Sequence, residues 1–116
     1  MEQRRHPRFP VRFTSSFSSA NLVAGEGILV DLSLRGCHVA SATEVKPGTT
    51  IKVRIVVSQT DPVLLIDQAV VRWHRVGYFG MEFVTLSAEG WARLQRTVKD
   101  LEEQPYRRGS AEIEAA

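Results

Sequence analysis

The sequence predicts an all-β domain closed by one C-terminal helix, in the form of a small antiparallel barrel of about six strands. Three observations support this. Apolar residues alternate at period two over most of the chain, turn residues interrupt the alternation at short intervals, and one helical stripe appears only near the end. The chain has 116 residues, which is enough for one domain with one hydrophobic core.

The first three strands are expected in the first third of the chain. A first strand begins at Val11, a second covers residues 27–35, and a third covers residues 37–41 after Gly36. Within 27–35, strict alternation places four apolar residues on one face: Ile28, Val30, Leu32 and Leu34. The opposite face carries Asp31, Ser33 and Arg35.

The later strands follow turn signals. The turn at 46–49 precedes a strand over 51–57, the turn at 60–62 precedes a long strand over 63–76, and a turn at 77–80 leads into a strand over 81–84. The period then changes to that of a helix, whose apolar stripe comprises Trp91, Leu94, Val98 and Leu101. Ser87 or Thr85 is expected to cap this helix, and Pro105 to end the pattern.

The two ends of the chain carry opposite net charges, and three segments are expected. Residues 1–12 carry four arginines and one glutamate, a net charge of +3, whereas residues 100–116 have a net charge of −3. Because prolines at 7 and 10 disfavour helix before them, residues 1–10 are expected to form a flexible, extended basic arm. Residues 11–104 are expected to form the barrel and its helix, and residues 105–116 a flexible tail.

Several function classes are disfavoured by composition. The single cysteine, Cys37, rules out an intrachain disulfide, and no apolar run approaches the length of a membrane span, so we expect a cytoplasmic protein without membrane insertion. The three histidines lack metal-ligand spacing, and no nucleophile has an evident orienting partner, so we expect neither a metal site nor an enzyme. The overall charge of only +2 argues against binding a nucleic acid polymer.

Two local features are candidates for anion binding. The arm places Arg4, Arg5 and Arg8 close together in sequence, and guanidinium groups suit phosphate or a guanine edge. The stretch DLSLRG, residues 31–36, combines an acceptor carboxylate, a hydroxyl and a glycine that permits close approach of backbone to a ligand.

These features resemble the motifs of the PilZ domain, the bacterial receptor module for cyclic di-GMP. The arm is similar to the RxxxR motif, with Arg4 and Arg8 as its arginines, and DLSLRG is similar to the [D/N]xSxxG motif. The resemblance implies a six-stranded antiparallel PilZ-type barrel over nearly all of residues 3–103.

The resemblance also implies residue roles. The arginines of the first motif would grip phosphates and guanines with help from Arg5, Asp31 and Ser33 would bind guanine or phosphate edges, and Gly36 would let the loop close against the ligand. Trp73 occupies a position where the family often has a large side chain near the site. No cofactor is expected besides the ligand, and Gln3, before the first motif, leaves one or two ligand molecules per chain open.

Alternatives stay open at this point. Asp31 and Ser33 could cap a turn, Trp73 could be a packing residue, and the basic arm could be a solvated tail. The favoured hypothesis is a monomeric or weakly dimeric sensor in which the ligand orders the arm and so signals to an unidentified effector protein. The main alternative is a PilZ-like protein-interaction module that does not bind the nucleotide, and a single-strand nucleic-acid binder is a third.

Overall fold

The computed structural model describes residues 6–20 and 24–103. It contains six strands and one helix: β1 Phe9–Ser18, β2 Ala24–Leu32, β3 Gly36–Ala40, β4 Thr50–Val56, β5 Leu64–Arg75, β6 Tyr78–Thr85 and α1 Ala88–Glu103. The predicted basic arm lies partly, and the predicted tail over 105–116 wholly, outside the described residues. β1 begins at Phe9, two residues before the predicted start.

The six strands form a closed antiparallel barrel in the order β1-β2-β3-β6-β5-β4. Closure occurs because β1 pairs with β2 on one side and with β4 on the other. The predicted fold class, a six-stranded antiparallel barrel with one C-terminal helix, is confirmed. Closing the sheet leaves no open sheet edge, so the strands present only their outer faces to a ligand.

The barrel interior is filled by the inward side chains of every strand. The alternation predicted for β4 is observed, since Ile51, Val53 and Ile55 are all buried. The helix adds Leu94, Val98 and Leu101 to the same core. It follows β6 directly and packs on β5 and β1, so it lies at the end of the barrel where β6 stops.

The predicted faces of the second strand hold for Asp31 and Leu32 but were wrong for Ile28 and Val30. Leu29 and Leu32 are fully buried, whereas Ile28 and Val30 are only partly buried. A β-bulge causes this. Leu29 pairs with Val39 and Asp31 pairs with His38, so between these two pairs β2 advances by two residues while β3 advances by one. β2 also stops at Leu32, and residues 33–35 form the turn to β3.

The predicted turn at 77–80 was also displaced. The β5–β6 hairpin turns at residues 76–77, where Gly77 has φ of 86°, a value that favours glycine. Tyr78 and Phe79 therefore belong to β6. Phe79 is buried, and its ring lies edge-on to the Phe17 ring with the two centroids 5.1 Å apart, so it is a core residue.

The buried stripe of α1 differs from the predicted one at its first position. Trp91 is 41% exposed, and Gly90 takes its place against the barrel, where an added Cβ would come within 3.1 Å of the Leu65 carbonyl oxygen. The helix therefore lies close to β5 at this glycine, and the neighbouring Trp91 faces outward. Ser87 caps the helix, its hydroxyl accepting the Gly90 N–H at 2.9 Å.

Candidate functional site

Asp31 joins three parts of the chain at the outer surface of the barrel. Its Oδ1 accepts hydrogen bonds from Arg8 Nη1 at 3.1 Å and from the His38 backbone N–H at 3.0 Å. Its Oδ2 lies 2.7 Å from His38 Nδ1. The bulge in β2 produces this arrangement, because it turns Asp31 outward while Leu32 stays buried.

The contact of Arg8 with Asp31 brings the two predicted motifs together. The residues are 23 positions apart in sequence, and their side chains are 26% and 19% exposed. A partly dehydrated ion pair is stronger than one in open water, yet a single contact uses only one of the five N–H donors of a guanidinium. The pair is therefore able to receive an anion on the arginine and a hydrogen-bond donor on the carboxylate.

Ser33 holds the turn between β2 and β3. Its hydroxyl accepts the N–H groups of Arg35 at 3.1 Å and Gly36 at 3.2 Å and donates to the Gly36 carbonyl at 3.3 Å. The Ser33 N–H also donates to that carbonyl, at 2.9 Å. The side chain is buried, so in this structure its hydroxyl is engaged inside the turn rather than presented to solvent.

Gly36 brings the same turn against β6. A Cβ at this position would overlap the Met81 carbonyl oxygen, so a larger residue would push the turn away from the strand. The N–H of Phe83 donates to the Arg35 carbonyl at 2.8 Å, which fastens the turn to β6 a second time. Close approach of backbone to backbone is therefore what this structure requires of Gly36.

Trp73 lies on the outer face of the barrel, on β5. Its indole covers Gly80 of β6, where an added Cβ would overlap the ring. The ring meets the His38 imidazole edge-on, with centroids 4.8 Å apart, and the Arg75 guanidinium lies 5.5 Å from its centroid. Trp73 is thus half-buried in a surface layer and is not a core residue.

These side chains form one row across four strands. Asp31 pairs with His38, His38 pairs with Gly80, and Gly80 pairs with Trp73. Strands are about 4.8 Å apart, so three steps cover roughly 14 Å of surface. Arg8 adds a cation beside Asp31, and Arg75 adds one beside the indole; we call this row with its two arginines the binding strip.

A second charged cluster lies on the other side of the β2–β3 turn. Glu82 of β6 binds Arg35 Nη2 at 2.8 Å and Arg72 Nε at 2.8 Å. These hydrogen bonds from Arg35 and Arg72 lower the pKa of Glu82, so the carboxylate stays ionised at neutral pH. Two guanidiniums share one carboxylate, which leaves a surplus positive charge here.

The structure brings four of the predicted site residues together, links a fifth to them and does not describe the other two. Arg8, Asp31, Ser33 and Gly36 lie in one continuous region, and Trp73 is joined to them through His38, whereas Arg4 and Arg5 lie outside the described residues.

Sequence reasoning missed three residues near this region: His38, Arg75 and Glu82. Alternation did place His38 opposite the buried Cys37, but its partnership with Asp31 depends on the bulge. Burial raises the pKa of the Cys37 thiol, which makes it an inert core residue.

Within residues 6–20 and 24–103, no group of three or more metal-ligating side chains has an arrangement suited to a metal ion. The helix found in the same ranges lacks the length and apolar character needed to cross a membrane.

Comparison with known proteins identifies a family and a set of similar structures. The family model described as PilZ domain matches residues 2–100. The chain is similar to the PilZ domain of CeSA from a cellulose-synthesizing bacterium, with 19% identity and a TM-score of 0.67 over 83% of this chain and 98% of that one. It is also similar to the PilZ domain with c-di-GMP of YcgR from Escherichia coli, with 17% identity and a TM-score of 0.71 over 90% and 95% of the two chains.

The K. pneumonia MrkH–c-di-GMP complex is a third similar structure, with 17% identity and a TM-score of 0.68 over 92% of this chain and 56% of that one. At these identities the likeness shows the common fold. No curated protein matches the sequence.

Proposed function

The chain belongs to the PilZ domain family, and on that premise we propose that it is a receptor for cyclic di-GMP that relays ligand binding to an effector protein. The contact between Arg8 and Asp31 carries this proposal, because it places the cation of one motif on the carboxylate of the other. Two of the similar structures contain c-di-GMP. The role is one of binding and signalling, in the cytoplasm, by a monomer or weak dimer.

The chemistry of the ligand matches the binding strip. Cyclic di-GMP presents two phosphates, which attract guanidinium groups, and two guanines, whose edges carry both acceptors and donors. Arg8 would bind a phosphate or the O6/N7 edge of a guanine, and Asp31 would accept hydrogen bonds from the guanine N–H groups. Arg4 and Arg5 would add the remaining cations of the first motif.

The β2–β3 turn contributes by shape. Ser33 holds the turn through its own hydrogen bonds, and Gly36 keeps it against β6, so the ligand meets a preformed edge beside Asp31. We therefore assign Ser33 a positioning role in addition to any contact with a phosphate. This differs from a purely ligand-binding hydroxyl, because its loss would also lower the stability of the folded protein.

Trp73 would supply a stacking surface for one base. Its ring is fixed against Gly80 and His38, and a fixed aromatic ring binds a base with little loss of side-chain entropy. Arg75, already at the indole, would add a cation near the same base or its phosphate.

The signal would begin at Arg8. In the structure this arginine is bound to Asp31. An anionic ligand would compete for it, draw in the other arginines and order the N-terminal arm on the barrel. The ordered arm and the ligand together would create the surface that the effector recognises.

Tryptophan fluorescence tests the placement of the ligand. The chain has two tryptophans, so in Trp91→Phe only Trp73 emits. Cyclic di-GMP is expected to quench this emission, and a Trp73→Phe protein, in which only Trp91 emits, should show a much smaller change. Saturable quenching confined to Trp73 would support stacking on the strip. Calorimetric binding without any change in Trp73 emission would place the ligand elsewhere.

A parent protein that does not bind cyclic di-GMP at all would overturn the receptor proposal. The alternative would then be a protein-interaction module of the same fold.

A further inference from the structure

A groove lined mainly by apolar residues lies beside the β2–β3 turn, between that turn, the end of β6 and the start of α1. It has a volume of about 310 Å³ and is lined by Leu34, Arg35, Phe83, Val84, Leu86 and Trp91. Val84 is 55% exposed and Trp91 is 41% exposed. Single exposed apolar residues are ordinary, but these are contiguous and form one concave surface.

The groove shares its turn with the candidate ligand site. Leu34 and Arg35 are the two residues between Ser33 and Gly36, so they form one side of a turn whose other side adjoins Asp31. The Arg35 carbonyl accepts the Phe83 N–H, and Gly36 lies against the Met81 carbonyl. A displacement of this turn therefore moves the groove wall directly.

The positive charge at the groove favours a partner segment that carries carboxylates. Arg35 lines the groove and shares Glu82 with Arg72, and the two arginine side chains remain 61% and 58% exposed. The cluster has a net positive charge, whereas Glu89 at the start of α1 is paired with Arg93. An incoming carboxylate would thus meet an accessible cation at the rim of an apolar surface.

We propose that the effector protein contacts this groove as well as the ordered arm, and that it docks in the groove a short segment with apolar side chains flanked by carboxylates. The inference rests on the proposed function, because it makes the ligand-binding turn the connection between ligand and effector. The ligand site at Asp31 and the groove wall at Leu34 and Arg35 lie beside and on the same turn, so binding at one site changes the affinity at the other. Leu34 and Arg35, two of the three non-motif positions of DLSLRG, thus serve partner recognition.

The test uses two matched peptide display libraries. Both carry apolar residues at alternate positions, one with flanking Asp and Glu and the other with Lys at the same sites. The full-length chain should enrich peptides from the acidic library only. A selected peptide, labelled with fluorescein, should bind about tenfold or more weakly to Trp91→Ala and to Arg35→Glu. Saturating cyclic di-GMP should change its affinity by about fivefold or more.

Val76→Asp is the matched control for an exposed apolar residue. Val76 is 94% exposed and lies at the hairpin between β5 and β6, at the opposite end of the barrel from the groove. The Val76→Asp protein should bind the peptide as the parent does. Trp91→Ala should keep its affinity for cyclic di-GMP, which separates the two proposals. A parent protein that binds the peptide at the groove but does not bind cyclic di-GMP would overturn the receptor function and leave the groove as a docking site.

Other outcomes would overturn the groove proposal. Equal enrichment from both libraries, or peptide binding that Trp91→Ala and Arg35→Glu leave unchanged, would remove it. Concentration-dependent dimerisation in the ultracentrifuge that Trp91→Ala abolishes would make a second copy of the chain the occupant. Changes in the amide NMR signals of groove residues on deletion of residues 104–116 would make the chain's own C-terminal segment the occupant.

Discussion

Replacing Ser33 with alanine removes a hydroxyl that makes three hydrogen bonds inside the β2–β3 turn. Ser33 is 1% exposed, so water cannot reach the Gly36 N–H that loses its acceptor. An unsatisfied buried N–H costs about 1–3 kcal/mol, and the more accessible Arg35 N–H adds less. We therefore expect Ser33→Ala to lower the free energy of unfolding by about 2 kcal/mol.

Urea unfolding followed by tryptophan fluorescence measures this loss, and for a domain of this size the thermal midpoint should fall by about 6–12 °C. Ser18→Ala, an exposed serine of β1, is the matched control and should change stability by less than about 0.5 kcal/mol. A Ser33→Ala protein of unchanged stability that nevertheless fails to bind cyclic di-GMP would refute the reasoning, because the hydroxyl would then act on the ligand directly.

Three further predictions concern neighbouring residues. Gly36→Ala places a Cβ on the Met81 carbonyl and should cost about 1–3 kcal/mol in the same urea assay. The pKa of Glu82 is lowered in the folded protein, so its ion pairs stabilise the fold above the ordinary pKa of a glutamate, and that stabilisation is lost as the pH falls through the lowered pKa. Glu82→Gln should therefore reduce the thermal midpoint more at about pH 7 than at about pH 3. The Cys37 thiol should react with Ellman's reagent only after urea unfolds the chain, since it is fully buried with a raised pKa.

Each of these has a clear contrary result. A Gly36→Ala protein as stable as the parent would mean that the turn does not lie against β6. A Glu82→Gln effect that is equal at both pH values would show that charge pairing with the arginines contributes nothing. Rapid labelling of Cys37 under native conditions would contradict its place in the core.

The fold could be predicted because most strands have one buried face. In β4 the alternation of Ile51, Val53 and Ile55 is reproduced without exception, and the helical period change marked α1. The second strand could not be predicted in detail, because a bulge adds one residue to β2, so that Leu29 and Leu32 share the buried face and strict alternation fails between them. Bulges depend on the pairing of two strands, which the sequence of one strand does not specify.

The candidate site was predicted in part. The motif resemblance singled out Arg8 and Asp31, and the structure places them in contact. It did not single out His38 or Arg75, because their roles follow from cross-strand register rather than from spacing along the chain. The turn alternative for Ser33 is the one that the hydrogen bonds support. Roles for Arg4 and Arg5 remain predictions.

Isothermal titration of cyclic di-GMP into the parent, Arg8→Ala and Arg12→Ala tests the central claim most directly. Arg12 is an exposed arginine of β1, four residues from Arg8, so it controls for the loss of one positive charge. We predict saturable binding to the parent and to Arg12→Ala, with the molar ratio showing whether one or two ligand molecules bind, and no measurable binding to Arg8→Ala. Equal binding by all three proteins, or none by the parent, would contradict the account.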